Sequence, residues 1–116
     1  MGIKKQKPLL PSLKERKRYV VFQVLSDGKF GLNDVQSEVN KQFSSLLGKI
    51  EVAKAGLMFM DDWRNNKSIL RVNNKYVDYV KACFCVINKI NGAEVIIRSI
   101  NVSGILNKAR NFMEGE

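Results

Sequence analysis

The side chains of this chain with the most chemical reach are its cations. Histidine is absent from the 116 residues, so there is no imidazole to act as a general base or to ligate a metal. Cys83 and Cys85 stand two apart. On a helix that spacing sends two side chains to nearly opposite sides, so they do not pair with each other, and two thiols are too few for a tetrahedral zinc site. Asp61 and Asp62 are the adjacent carboxylates of the chain. Paired acids can hold Mg²⁺, but these open the segment D-D-W-R-N-N-K and read as solvated turn residues. Phosphate-loop and nucleophile motifs are missing. No catalytic residue, no metal ligand and no cofactor bound by the protein itself is therefore expected. The candidate functional residues are contacts to phosphate: Lys14, Lys17, Arg18, Arg71, Lys75, Arg98, Lys108 and Arg110.

The distribution of charge says more than its total. Twenty Lys and Arg against eleven Asp and Glu give a net charge of +9. The first eighteen residues carry +6 of it, with Lys4, Lys5, Lys7, Lys14, Arg16, Lys17 and Arg18 against Glu15 alone. A basic arm on a mildly basic domain is the electrostatic footprint of a polyanion binder. Nucleic acid fits best. A membrane surface fits less well, because the arm lacks the bulky apolar residues of an amphipathic anchor. Pro8 and Pro11 interrupt the arm, so residues 1–12 are expected to be extended and flexible, and 13–116 to form one domain. No apolar run is long enough to span a membrane and no secretory signal is evident. A cytoplasmic protein with reduced, buried thiols is the expectation.

The elements that must position the cations follow from periodicity. Y-V-V-F-Q-V-L, Tyr19 to Leu25, is apolar on both faces apart from Gln23 and predicts a central strand. Ser26-Asp27-Gly28 predicts a turn. Val35, Val39, Phe43, Leu46 and Leu47 form one helical stripe, capped by Asn33 or Asp34 and stopped at Gly48. Ala53 to Met60 predicts a second strand, with 61–67 as its hairpin loop. Ser68 to Val72 predicts a third strand. Asn73-Asn74 then caps a strongly apolar helix bearing Tyr76, Val77, Val80, Cys83, Phe84, Val86, Ile87 and Ile90, ended by Asn91-Gly92. Glu94 to Val102 predicts the fourth strand. Ser103 should cap a last helix carrying Ile105, Leu106, Ala109, Phe112 and Met113 on its apolar side.

Strand, helix, strand, strand, helix, strand is the ferredoxin-like βαββαβ order, here with an extra C-terminal helix. The fold class is α+β, a two-layer sandwich with an antiparallel sheet, like that of RNA-recognition motifs. The first and fourth strands are too apolar to leave their second face bare, so the terminal helix, a partner protein or both should cover it. RNA-recognition motifs stack bases on aromatics of the first and third strands. Here the first strand offers Tyr19 and Phe22 but the third, I-L-R-V, offers none. Phosphate contact and salt-sensitive recognition of a folded RNA are expected instead. The alternatives are a generic basic structured-RNA binder of ribosomal type, and an interaction module whose arm serves solubility.

Three segments in order, K-R-Y-V-V-F-Q-V, S-I-L-R-V-N-N-K-Y-V-D-Y-V and V-I-I-R-S-I-N-V-S-G-I-L-N-K-A-R, resemble the archaeal ribonuclease P protein component two family. The resemblance spans roughly 12–113. It implies a ferredoxin-like accessory subunit of the ribonucleoprotein that removes 5′ leaders from precursor tRNA. It also implies that the RNA subunit performs the cleavage with its own Mg²⁺, and that the partners are ribonuclease P RNA, a barrel-folded protein subunit, and further copies of the chain in a larger assembly. Precursor tRNA would be met indirectly. By position, Lys17, Arg18, Arg71, Lys75 and Arg98 match basic positions of the family motifs. Asn74 stands where the family often has a basic residue, and Ser103-Gly104-Ile105 where it usually reads Ser-Gly-Thr.

Overall fold

The computed structural model describes residues 16–114. Its centre is β1, Lys17–Leu25, which pairs antiparallel with β3, Lys67–Asn73, on one side and with β6, Ile96–Ser103, on the other. A short β2, Met58–Phe59, extends β3, giving the sheet order β2-β3-β1-β6. Strand alternation sends Val20, Phe22 and Val24 of β1 and Leu70 and Val72 of β3 to one face, and Val21 and Ile69 to the other. Both sets are buried, as the apolar run of β1 predicts.

The first face is covered by α1, Leu32–Leu47, and α3, Val77–Val86. Val35, Val39 and Phe43 of α1 meet Val80, Cys83 and Phe84 of α3 over the sheet. Phe22 anchors this core, tilted on Phe84 at 5.1 Å and edge-on to Phe59 at 6.2 Å between ring centroids. The second face is crossed by α4, Leu106–Glu114, whose Ala109 and Met113 close over Val21 and Ile69. Tyr19, Met60, Ile100 and Leu106 pack around that smaller cluster. The terminal helix thus supplies part of the cover that the strand composition demanded, while Leu25 and Ile96, paired at the far end of the face, stay exposed. A bulge between Val21 and Phe22 in the β1–β6 register puts Ile100 outside the pairing, which turns it towards α4.

Four sequence expectations need correction. Residues 53–60 are not one strand. K-I-E-V-A-K-A forms α2, Lys49–Ala55, because Ala, Lys and Glu favour helix, and Gly56 ends it in the left-handed region at φ 62°. Only Met58–Phe59 is strand. The apolar helix ends at Val86 rather than at Asn91, and Ile87 is already extended. Lys89–Ile90 and Ala93–Glu94 are instead a small hairpin, β4 and β5, joined by Asn91 and Gly92 at φ 53° and 81°. Two successive positive φ values at Asn-Gly fit the tight hairpin turn that matches strand twist. Ile87 and Ile90 are buried all the same. The α1 cap is Gly31, and Asp34 acts from the third helical position by accepting the Gly31 N–H at 3.0 Å. Finally, Cys83 is buried but Cys85 is exposed.

Candidate nucleic-acid interface

The antiparallel register decides which cations meet. Lys17 stands opposite Asn73, Arg18 opposite Val72, and Tyr19 opposite Arg71. The start of β1 and the end of β3 therefore share one end of the sheet, and the end of β6 joins them, with Ser103 opposite Tyr19. The Asn74 N–H donates to the Arg16 carbonyl at 2.6 Å, so the backbone entering β1 is tied to the corner leaving β3. Asn73 caps that corner. Its side-chain oxygen accepts the Lys75 N–H at 3.1 Å and starts the short 3₁₀ turn Asn74–Tyr76. Arg16, Lys17, Arg18, Arg71 and Lys75 are gathered here from segments more than fifty residues apart in sequence.

Their surroundings differ. Arg16 and Lys75 are exposed. The Arg18 Nη1 donates to the Lys17 carbonyl at 3.0 Å and lies close to Gly104, where a Cβ would stand 3.4 Å from it. The Lys17 side chain runs towards Gly56, where a Cβ would stand 3.1 Å from Nζ. Both glycines leave room for a long cation over their backbone. Arg71 is half-buried. Its Nη2 lies 3.4 Å from the Met58 Sδ, and its Nε is buried with no hydrogen-bond partner among the described residues. A nearby acid, Glu51, accepts from the Tyr76 hydroxyl and pairs with Lys54 at 3.7 Å.

Residues 18–114 of the sequence match the Rpp14/Pop5 family. This chain belongs to that family. Among its relatives, ribonuclease P protein component 2 of Pyrococcus horikoshii is 32% identical over 111 residues, covering 93% of this chain and 91% of the relative. Ribonuclease P protein component 2 of Methanosarcina mazei is 30% identical over 111 residues, covering 95% of each. A solved chain of yeast ribonuclease MRP superposes with a TM-score of 0.61 at 11% identity, over 86% of this chain and 87% of that one. At that identity the superposition speaks for the fold alone. The resemblance carried by the three sequence segments, and the ferredoxin-like architecture, are both borne out.

The remaining candidates of this Rpp14/Pop5 protein stand apart from the corner. Arg98 is exposed on β6, five residues from Ser103 and so roughly 16 Å along the strand. Its Nε and Nη2 both donate to the Gln23 Oε1, at 3.3 and 2.9 Å. Arg110 on α4 is held by Asp62, at 3.1 and 3.4 Å. Asp62 is therefore an ion-pair partner rather than a freely solvated turn residue, because α4 lies across the loop. Lys108 is exposed on α4, and Lys14 lies outside the described residues.

Sequence reasoning missed Arg16 as a corner residue and Met58 as the neighbour of Arg71. The β2–β3 pairing reveals Met58, and the Asn74–Arg16 backbone bond reveals Arg16. It also grouped Tyr19 with Phe22, which the sheet puts on opposite faces. Two shifted ionisable groups are structural. Burial, and then the charge of Glu38, push the Cys83 thiol up to about 11, and its Sγ lies 3.7 Å from the Val39 carbonyl. The Gly31 N–H, and then the Asn91 side chain, hold the Asp34 carboxyl below its usual range. Among the described residues no group of three or more His, Cys, Asp or Glu is placed to hold a metal ion, and no helix is long and apolar enough to cross a membrane.

Proposed function

We propose that this Rpp14/Pop5 protein is an accessory RNA-binding subunit of ribonuclease P, supporting RNA-catalysed removal of 5′ leaders from precursor tRNA in the cytoplasm. The observation that carries the reading is the convergence of Arg16, Lys17, Arg18, Arg71 and Lys75 at one end of the sheet in a member of this family. The name shared by its archaeal relatives supports the same enzyme.

The physical role of such a corner is electrostatic. Phosphates drawn together by a folded RNA repel one another, and fixed cations offset that repulsion. Docked at the catalytic region of ribonuclease P RNA, the corner lets the active fold and its metal sites form at lower Mg²⁺. The Mg²⁺ chemistry of cleavage would be supplied by the RNA, and this chain would contribute cations and shape. A barrel-folded protein subunit and further copies of the chain complete the assembly.

The test is cleavage of a precursor tRNA at low Mg²⁺ by a matching ribonuclease P RNA, with and without this protein and its barrel-folded partner. Restored 5′ cleavage that depends on the RNA supports the reading. An RNA indifferent to the pair, with equal binding to unrelated structured RNAs, moves the protein to the generic class of basic RNA binders.

A further inference from the structure

α4 does not cover the whole of its sheet face. It buries Val21 and Ile69, and leaves the row one step nearer the cationic corner only partly covered. That row is Met58, Arg71, Tyr19 and Ser103, adjacent across β2, β3, β1 and β6. Met58 is 48% exposed, and Tyr19 and Arg71 are half-buried.

Within the row the Arg71 guanidinium is held in an unusual way. The fork most suited to gripping phosphate is a pair of N–H groups pointing the same way. Here Nε is buried with no acceptor among the described residues, and Nη2 lies on a thioether sulfur, a weak acceptor, at 3.4 Å. Nε is thus turned into the protein, while Nη2 rests on the half-exposed Met58 sulfur at the surface. Arg98 and Arg110 differ, because Gln23 and Asp62 occupy their forks.

We infer that Arg71, flanked by Met58 and Tyr19, is a stacking seat for one unpaired nucleobase of RNA, with Lys75 and Lys17 at the adjoining corner taking the phosphates of the same strand. A guanidinium plane stacks on a base as an aromatic ring does, and a thioether is a soft, polarizable neighbour for a ring edge. The third strand therefore needs no aromatic residue to read an unpaired base. This rests on the RNA-binding reading above, and adds a single-stranded nucleotide to a contact otherwise made only to phosphate.

The experiment is equilibrium binding, at fixed salt, of the full chain to a short single-stranded RNA, to the same strand with abasic sugars at its centre, and to a duplex of equal charge. Arg71→Lys keeps the charge and removes the plane. Met58→Ala removes the exposed thioether. The expected result is about tenfold tighter binding to the base-bearing strand than to the abasic one. Arg71→Lys should abolish that preference, so that base-bearing and abasic strands bind the variant alike, and Met58→Ala should reduce it. Equal affinity for base-bearing and abasic strands overturns the seat, as does a preference that survives in both variants. If Arg71→Lys melts early, Met58→Ala decides alone. Cleavage at low Mg²⁺ reports separately on the ribonuclease P reading: failure there with the base preference intact rejects the enzyme assignment but not the seat.

Discussion

The side-chain oxygen of Asn73 accepts the backbone N–H of Lys75 at 3.1 Å, and so fixes the direction in which the chain leaves the sheet at its most cationic end. Asn73 is itself buried, so the bond is shielded from water. Asn73→Ala should cost about 1 kcal/mol of stability, the usual worth of a missing cap, while Asn73→Asp should retain most of it. Denaturant titration checks this. A stability loss equal in both variants would mean that packing, not the cap, sets the corner.

The corner and the outlying cations should separate in salt dependence. Replacing Lys75 or Arg16, both exposed, with Ala should lower the log–log slope of RNA affinity against salt by about 0.7–0.9 for each phosphate that is no longer neutralised. Arg110→Ala should leave the slope nearly unchanged, since Asp62 already neutralises that side chain. The pair is partly exposed, so removing it should cost only a few tenths of a kcal/mol in stability. Titrations at several salt concentrations distinguish these outcomes.

Most of this architecture is legible in the sequence because apolar periodicity and the fold obey the same rule. The α1 stripe Val35, Val39 and Phe43 is buried, and the doubly apolar β1 is central with helical cover on each face. Legibility fails where two rules compete. In residues 53–60 the alternation of A-K-A-G-L-M suggests strand, but Gly56 closes a helix begun at Lys49. At Asn91-Gly92 the same dipeptide can end a helix or turn a hairpin, and the buried Ile87 and Ile90 look helical in spacing while lying beyond the helix. The cationic corner is half legible. Its residues can be named from the chain, but their meeting depends on the β1–β3 register, which no local pattern states. Arg98 carries the same sequence marks and lies far from the others.

The loop after β1 makes a steric prediction. A Cβ on Gly28 would stand 2.3 Å from the Cβ of Ala93 in the β4–β5 hairpin. Gly28→Ala should therefore destabilise by about 1–3 kcal/mol through overpacking. Adding Ala93→Gly should recover most of that deficit, although a glycine in a strand alone costs about 0.5–1 kcal/mol. Thermal melts of the two single variants and the double variant form a complete cycle. Additive effects would place the clash elsewhere.

The two cysteines give the last prediction, and its sign follows from burial. Cys83 is fully buried and its thiol is pushed from an ordinary 9.0 up to about 11, so the folded chain holds this proton after the unfolded chain has released it. Stability from Cys83 is therefore complete below pH 9 and falls away as pH rises from 9 towards 11, by an amount on the order of 2 kcal/mol. Cys83→Ala should start less stable because it leaves a small cavity, yet decline less over that window than the wild-type chain. Denaturation midpoints at several pH values from about 8 to 10.5 measure the difference. Labelling gives an independent view. A thiol reagent at about pH 8 should modify the exposed Cys85 quickly and leave Cys83 intact until denaturant is added. Equal labelling of both thiols in the folded chain, or parallel pH profiles for the two proteins, would show that the α1–α3 core opens readily at Cys83.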